Sequence, residues 1–300
     1  MGDPAGRDGI VTRGVIPGGL DASLVLVRHG ETTWLAERRF QGASNPPLSA
    51  VGERQAALVA ARLAQPLANP PLPVPDGDPV GCWHSPLDRA ASVARAIADR
   101  RSPPLPLHVE PRLREIGHGR WEGRLHAEIA ADDGPLLAAW RDDPTHHHAP
   151  GGEAVSDAAA RVADALRELL EVLAASSDAS AAAADHATGT RRAASPGRGA
   201  AARPGAGTAG AVGTAAVAPP VPWAIVVAHD GVLRLSTLAL LDLPLERFWS
   251  FPFAPCGISV VSIRGGRPAL RAHNLVDHLA ALDGQGAARA AVEGEESGTQ

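Results

Sequence analysis

Two short apolar runs constrain this chain more than any other feature. Leu24, Val25, Leu26 and Val27 follow one another without a polar break, and so do Ala224, Ile225, Val226, Val227 and Ala228. Runs this short are strand-length, and unbroken apolarity means that both strand faces are covered. Strands buried on both faces belong to mostly parallel sheets flanked by helices. Each run also ends in a histidine: Arg28-His29-Gly30 closes the first and His229-Asp230-Gly231 closes the second. In open α/β sheets, ligands bind beyond the carboxyl ends of the strands. One such histidine is weak evidence for a site; two at equivalent places direct attention to its other members.

The remaining pattern agrees with a layered arrangement. Ser49 reads as an N-cap, and the helix after it runs to about Ala64, before Pro66, on Ala56, Ala57, Val59, Ala60 and Leu63. Residues 80–83 form a second short strand, followed by a helix over 87–99; residues 105–109 make a third strand interrupted by Pro106. Val155, Ala159, Val162, Leu166, Leu169, Leu170 and Leu173 give helical spacing over residues 153–174. Residues 232–241 read as a helix, and residues 258–263 and 269–272 as a hairpin across Arg264-Gly265-Gly266-Arg267. Alternating strands and helices predict an α/β fold, a three-layer α/β/α sandwich with a mostly parallel central sheet.

Composition trims the 300 residues to one domain. Residues 1–20 and 279–300 are expected to be disordered tails. The domain spans 21–278, with a disordered insert at about 176–220 dominated by Ala, Gly, Ser, Thr, Pro and Arg. Such segments bury too little apolar surface to offset their ordering entropy. The net charge of −5 predicts no nucleic-acid partner. Lysine is absent and every basic residue apart from histidine is Arg, which carries no functional reading. Cys82 and Cys256 are too few for a disulfide framework or a metal cluster. No apolar run approaches the roughly 20 residues needed to span a bilayer, and residues 1–19 lack the apolar core of a signal peptide. The expectation is a cytoplasmic protein with no membrane partner.

Further candidate pieces lie between the two histidines. Ser85-Pro86-Leu87-Asp88-Arg89-Ala90 places Arg89 in the first turn of a helix at a strand's carboxyl end. Leu113-Arg114-Glu115 leads into a Gly- and Trp-bearing loop, Gly119-Arg120-Trp121-Glu122-Gly123. Taken singly, Arg89 reads as a solvated helix residue and Glu115 as a surface carboxylate. Taken in order with Arg28-His29-Gly30-Glu31-Thr32, Phe40-Gln41-Gly42, Pro47-Leu48-Ser49 and Ala228-His229-Asp230-Gly231-Val232, they form one pattern. That pattern resembles the histidine phosphatase superfamily, the phosphoglycerate mutase-like proteins. The resemblance runs from about Leu24 to about Asn274, interrupted by the low-complexity insert.

The resemblance implies a phosphatase that hydrolyses a small phosphomonoester through a phosphohistidine on His29. Arg28 and Arg89 would grip the phosphoryl oxygens, because guanidinium forks match phosphate and stay charged. His229 would be a protonated second histidine donating to the same group, and Glu115 the proton donor to the leaving oxygen. Thr32, Gln41, Gly42, His118 and Trp121 are further substrate-binding candidates. The specificity loop is 116–152, with His118, Trp121, His126 and Trp140. No metal or other cofactor is expected, since two Arg and a His supply the positive charge. The partner is a small phosphorylated metabolite, with a homodimer left open.

Three positions depart from the family pattern. Leu35 stands where an Asn commonly touches the phosphoryl group, Asn45 where Asp is common, and Asp230 where Gly is commoner. Asp230 is expected to point away from the anion site or to pair with an Arg. Two alternatives stay open: a cofactor-dependent phosphoglycerate mutase, and a non-catalytic member that binds phosphorylated ligands. The short segment between Glu115 and Glu153 favours hydrolysis over the mutase. His146, His147 and His148 read as a solvated loop, Cys256 as a packing residue, and Arg191 and Arg192 as solubilising.

Overall fold

The computed structural model describes residues 14–192 and 221–282. In chain order its elements are β1 (Ala22–Arg28), α1 (Thr33–Ala36), α2 (Ala50–Ala64), β2 (Cys82–His84), α3 (Asp88–Asp99), β3 (Leu107–Val109), α4 (His126–Asp132) and α5 (Gly134–Asp142). They continue with α6 (Val155–Arg192), β4 (Trp223–Ala228), α7 (Asp230–Leu241), β5 (Ile258–Arg264) and β6 (Arg267–Leu275).

Side chains on a strand alternate between faces, and this explains the two apolar runs. Leu24 and Leu26 of β1, with Ala224 and Val226 of β4, enter one core shared with α6 and α7. Val25 and Val27, with Ile225 and Val227, enter a second core on the other face, shared with α2 and α3. The sheet therefore separates two helix layers. Its order is β3-β2-β4-β1-β5-β6. The pairs β3–β2, β2–β4 and β4–β1 are parallel; β5 pairs antiparallel with both β1 and β6. This is the predicted three-layer α/β fold with one reversed strand.

Local chemistry sets the element ends that matter. Ser49 caps α2, its hydroxyl accepting from the Gly52 N–H at 3.1 Å and donating to Glu31 Oε1 at 2.7 Å. α7 has buried residues around its circumference and still carries Ser236 and Thr237, whose hydroxyls return to the Val232 and Leu233 carbonyls at 2.8 Å. Those bonds satisfy polar groups that burial would otherwise penalise.

Three expected boundaries need correction. Val15 and Leu20 are buried in the first core, so the N-terminal tail does not extend to residue 20. Leu279 and Leu282 are buried in the second core, so the domain continues past residue 278. The helix expected to end near Ala174 runs on to Arg192. Its last buried leucine is Leu173, but the stretch beyond is rich in Ala, the strongest helix former. The remainder of the expected insert, 193–220, lies outside the described residues, as do 1–13 and 283–300. Among the described residues no helix is long and apolar enough to cross a membrane.

Candidate active site

The central strands β1 and β4 lie side by side and parallel, so their carboxyl ends deliver His29 and His229 to one place. The two rings stand edge to face with centroids 5.1 Å apart. His29 Nδ1 lies 2.6 Å from the Gly30 carbonyl oxygen. A carbonyl only accepts, so Nδ1 carries the proton and Nε2 keeps its lone pair. That lone pair faces the Arg89 Nε–H at 3.3 Å.

Arg89 sits in the first turn of α3 and is 1 % exposed. Its fork is held by the Ser44 carbonyl at 2.6 Å and the Gly42 carbonyl at 2.9 Å. A buried guanidinium without such acceptors would cost several kcal/mol. The loop that presents these carbonyls is tied by Glu122, which accepts from the backbone N–H groups of Ala43, Ser44 and His118 and from the Ser44 hydroxyl. Gly42 has φ +52, and a Cβ there would lie 2.2 Å from Glu122 Oε1; the loop closes this tightly only with glycine. Asn45 completes the cradle through a reciprocal pair with Asp88, donating to its carboxylate at 2.8 Å and accepting from its backbone N–H at 2.9 Å. An Asp at position 45 would face the Asp88 carboxylate with like charge.

Arg28 donates from Nη1 to the Phe253 carbonyl at 2.5 Å. His229 Nε2 lies 2.7 Å from the Ser85 hydroxyl. Two buried polar atoms here, Arg28 Nε and His229 Nδ1, have no hydrogen-bond partner among the described residues. Glu115 approaches from the loop before α4: Oε1 accepts from the Ile116 N–H at 3.0 Å and Oε2 from the Gly231 N–H at 3.4 Å. Gly231 allows this approach, since a Cβ there would stand 2.8 Å from Glu115 Oε1.

The electrostatics separate the titratable groups. Burial, then Arg89 and Arg28, hold the His29 imidazolium well below its ordinary range, so the ring is neutral at physiological pH. His229 is pushed down in the same way, by burial and then by Arg89, His29 and Arg28. Without an anion His229 is therefore neutral; the expected protonated form requires a bound anion to offset the neighbouring Arg89 and Arg28. Glu115 moves the other way. Burial raises its pKa, and Asp230 adds to this against the lowering by the Ile116 N–H, Arg89 and Arg28. Arg89 is brought down by burial to about 10 and remains a cation.

A cavity of about 480 Å³ opens beside these groups, lined among others by Arg28, Gln41, Gly42, Glu115, His118 and Gly231. Four expected substrate contacts, Arg89, His229, Thr32 and Trp121, lie outside its lining, as does His29. Thr32 is fully buried, caps α1 by accepting from the Leu35 N–H at 3.0 Å, and donates to Gln41 Oε1 at 2.7 Å. Trp121 is also fully buried, with its indole N–H on Asp133 at 2.9 Å. It supports Phe40 and Trp140 from behind with edge contacts at 5.4 and 5.9 Å. His126 and Trp140 do line the cavity.

The departures also find places. Leu35 lines the cavity. Asp230 lines it too, and pairs with Arg234, one turn later on α7, at 2.9 Å, as the i, i+4 spacing allows. Its other oxygen accepts from the Phe253 N–H at 2.9 Å. Of the three consecutive histidines, His146 is exposed and paired with Asp143, whereas His148 reaches the cavity wall. Cys256 is a buried packing residue in the second core. Arg39, Arg141, Phe248 and Trp249 line the cavity as well and were not singled out by the sequence. Among the described residues no group of three or more His, Cys, Asp or Glu is placed to hold a metal ion.

Comparison with known proteins places this geometry. The sequence model described as the histidine phosphatase superfamily (branch 1) matches residues 24–191 and 209–276. Phosphoserine phosphatase 1 of Hydrogenobacter thermophilus is 27 % identical over 256 residues, covering 85 % of this chain and 93 % of its own. A glucosyl-3-phosphoglycerate phosphatase of Mycolicibacterium vanbaalenii is 31 % identical over 226 residues, covering 75 % and 76 %. A solved mycobacterial glucosyl-3-phosphoglycerate phosphatase in complex with VO3 superposes with a TM-score of 0.61 at 26 % identity, covering 85 % of this chain and 99 % of that one.

Proposed function

From the premise that this chain belongs to the histidine phosphatase superfamily, we propose that it hydrolyses a small phosphomonoester through a phosphohistidine on His29. The observation that carries the reading is the His29 tautomer: Nδ1 is bound to the Gly30 carbonyl, so Nε2 carries no proton, and its lone pair, which accepts only a long hydrogen bond from the Arg89 Nε–H at 3.3 Å, can be released to attack phosphorus.

In the first step Nε2 attacks phosphorus while the phosphorus–oxygen ester bond breaks. The leaving oxygen takes the proton of Glu115, whose raised proton affinity keeps it available. Arg28 and Arg89 neutralise the equatorial oxygens, and the unpartnered Arg28 Nε and His229 Nδ1 supply further hydrogen-bonding positions to that group. In the second step the Glu115 carboxylate takes a proton from water. The water oxygen forms a bond to phosphorus, the nitrogen–phosphorus bond breaks, and inorganic phosphate departs with His29 neutral again. Names of the relatives support hydrolysis.

Brief reaction with a substrate labelled in its phosphoryl group, followed by quenching, tests this. Wild type should hold acid-labile, base-stable label, and His29→Ala should lose both label and turnover. Glu115→Gln should slow an alkyl phosphate about 10²–10⁴-fold and an activated aryl phosphate much less. Label persisting in His29→Ala would remove the assignment.

A further inference from the structure

Aromatic side chains are scarce in this protein: six tryptophans, four phenylalanines and no tyrosine in 300 residues. Two of each, Phe40, Trp140, Phe248 and Trp249, nonetheless line the cavity that also holds Glu115 and Arg28. Trp140 is locked by edge contacts to Phe40 at 5.8 Å, His118 at 5.5 Å and Trp249 at 5.2 Å. Trp249 is fixed in turn by the Arg234 guanidinium, 5.1 Å from its ring centroid, and Arg234 is anchored on Asp230. His126 stacks on Phe40 at 4.2 Å. His118 is brought down to about 4 by burial, so at neutral pH it is an uncharged flat ring rather than a cation. Leu35 extends the same wall.

Phe40 and Phe248 are buried behind this wall, whereas Trp140 and Trp249 are only half-buried; their exposed ring surface is costly to leave against water and adds nothing to phosphoryl transfer itself. Aromatic faces give about 0.5–1.5 kcal/mol per stacked or edge-on partner beyond the area they bury. The cavity, at about 480 Å³, falls within the range of about 300–1,000 Å³ that suits drug-sized ligands and exceeds the needs of a phosphoryl group with a short polar chain. Leu35 adds apolar surface to the cavity beside these rings.

We infer that the alcohol released by this enzyme carries a flat aromatic ring, seated against Trp140 and Leu35 while its phosphoryl group meets His29. This rests on the proposed phosphatase reading but speaks to a different part of the substrate. A ring-bearing aryl-alkyl alcohol and a nucleoside share this chemistry, and substrates of both kinds separate the two sources.

The test has a turnover arm and a binding arm. Values of kcat/KM are compared for indolylethyl phosphate, a nucleoside monophosphate and glycerol phosphate, whose leaving groups are all alkyl alcohols. At least one ring-bearing ester should exceed glycerol phosphate by tenfold or more, mainly through KM. Calorimetry then compares phenylethylphosphonate with propylphosphonate, neither of which can be hydrolysed, and the ring should tighten Kd by at least fivefold. Both preferences should shrink in Trp140→Leu and in Leu35→Asn, the second keeping nearly the same volume should the first fold poorly. Equal Kd values for the two phosphonates overturn the inference whether or not the esters turn over. A ring preference in binding without hydrolysis of any ester keeps the aromatic subsite but overturns the phosphatase reading and with it the released alcohol.

Discussion

Asp230 shows how one side chain can serve two neighbours. Its carboxylate holds buried Arg234 and, through the Phe253 N–H, the segment whose carbonyl positions Arg28. Its negative charge also raises the proton affinity of Glu115, secondary to burial. Asp230→Asn keeps the shape and an acceptor oxygen but removes the charge. With less negative potential nearby, the Glu115 proton leaves more easily, so its pKa falls and the acid form persists over a narrower range. The kcat/KM profile for an alkyl phosphate should therefore lose its alkaline limb at lower pH in Asp230→Asn than in wild type. An unmoved limb would show that Asp230 does not reach Glu115 electrostatically. The acid side of the profile should be flat through the ordinary histidine range in both proteins, because His29 stays neutral well below it.

Elements differ in how much of themselves the sequence discloses. His29, His229 and Arg89 were legible because strand ends and a first helical turn fix where such residues must stand. Trp121 was not: the motif Gly-x-Trp-Glu-Gly places the ring in a shaped loop but cannot say whether it faces the cavity or packs behind it. Its partner Asp133 lies twelve residues on, a pairing with no periodic signature. The length of α6 was hidden for another reason. Its apolar stripe stops at Leu173, and a reading based on burial stops there too, although Ala-rich sequence continues a helix by propensity alone. The tails hid Val15, Leu20, Leu279 and Leu282 because single apolar residues among Gly, Pro and Asp carry no period. The two halves of α6 should consequently respond differently. Leu170→Ala empties a fully buried position and should cost about 2–5 kcal/mol of global stability in denaturant unfolding. Ala179→Gly, exposed on the same helix, should reduce far-UV helicity slightly and cost no more than about 1 kcal/mol. Equal losses would mean that the Ala-rich half is as much a part of the core as the leucine stripe.

At the scale of the whole molecule the histidines define an acid limit. Burial is the first cause lowering the pKa of His29, His229, His84, His273, His118 and His278, the last two to about 4. In the unfolded chain each regains an ordinary value near 6.5. Between that value and its folded value, each histidine is more protonated unfolded than folded, so stability falls as pH falls. A group fully within its window contributes at most about 1.4 kcal/mol per pH unit. Glu115 acts with the opposite sign, since its raised folded pKa favours the folded state at low pH and loses that effect as pH rises through it. It is one group against six. The melting temperature should therefore be level from pH 8 to 7, decline from about pH 6.5, and keep declining toward pH 4 as His118 and His278 reach their folded values. Inorganic phosphate should offset part of the decline, because an anion beside Arg28 and Arg89 favours protonated His229 and binds only the folded state. Differential scanning fluorimetry across this range, with and without phosphate, gives the comparison. A melting temperature unchanged between pH 7 and 4.5 would mean that these histidines are not held neutral by burial, and with them would go the neutral Nε2 on which nucleophilic attack by His29 depends.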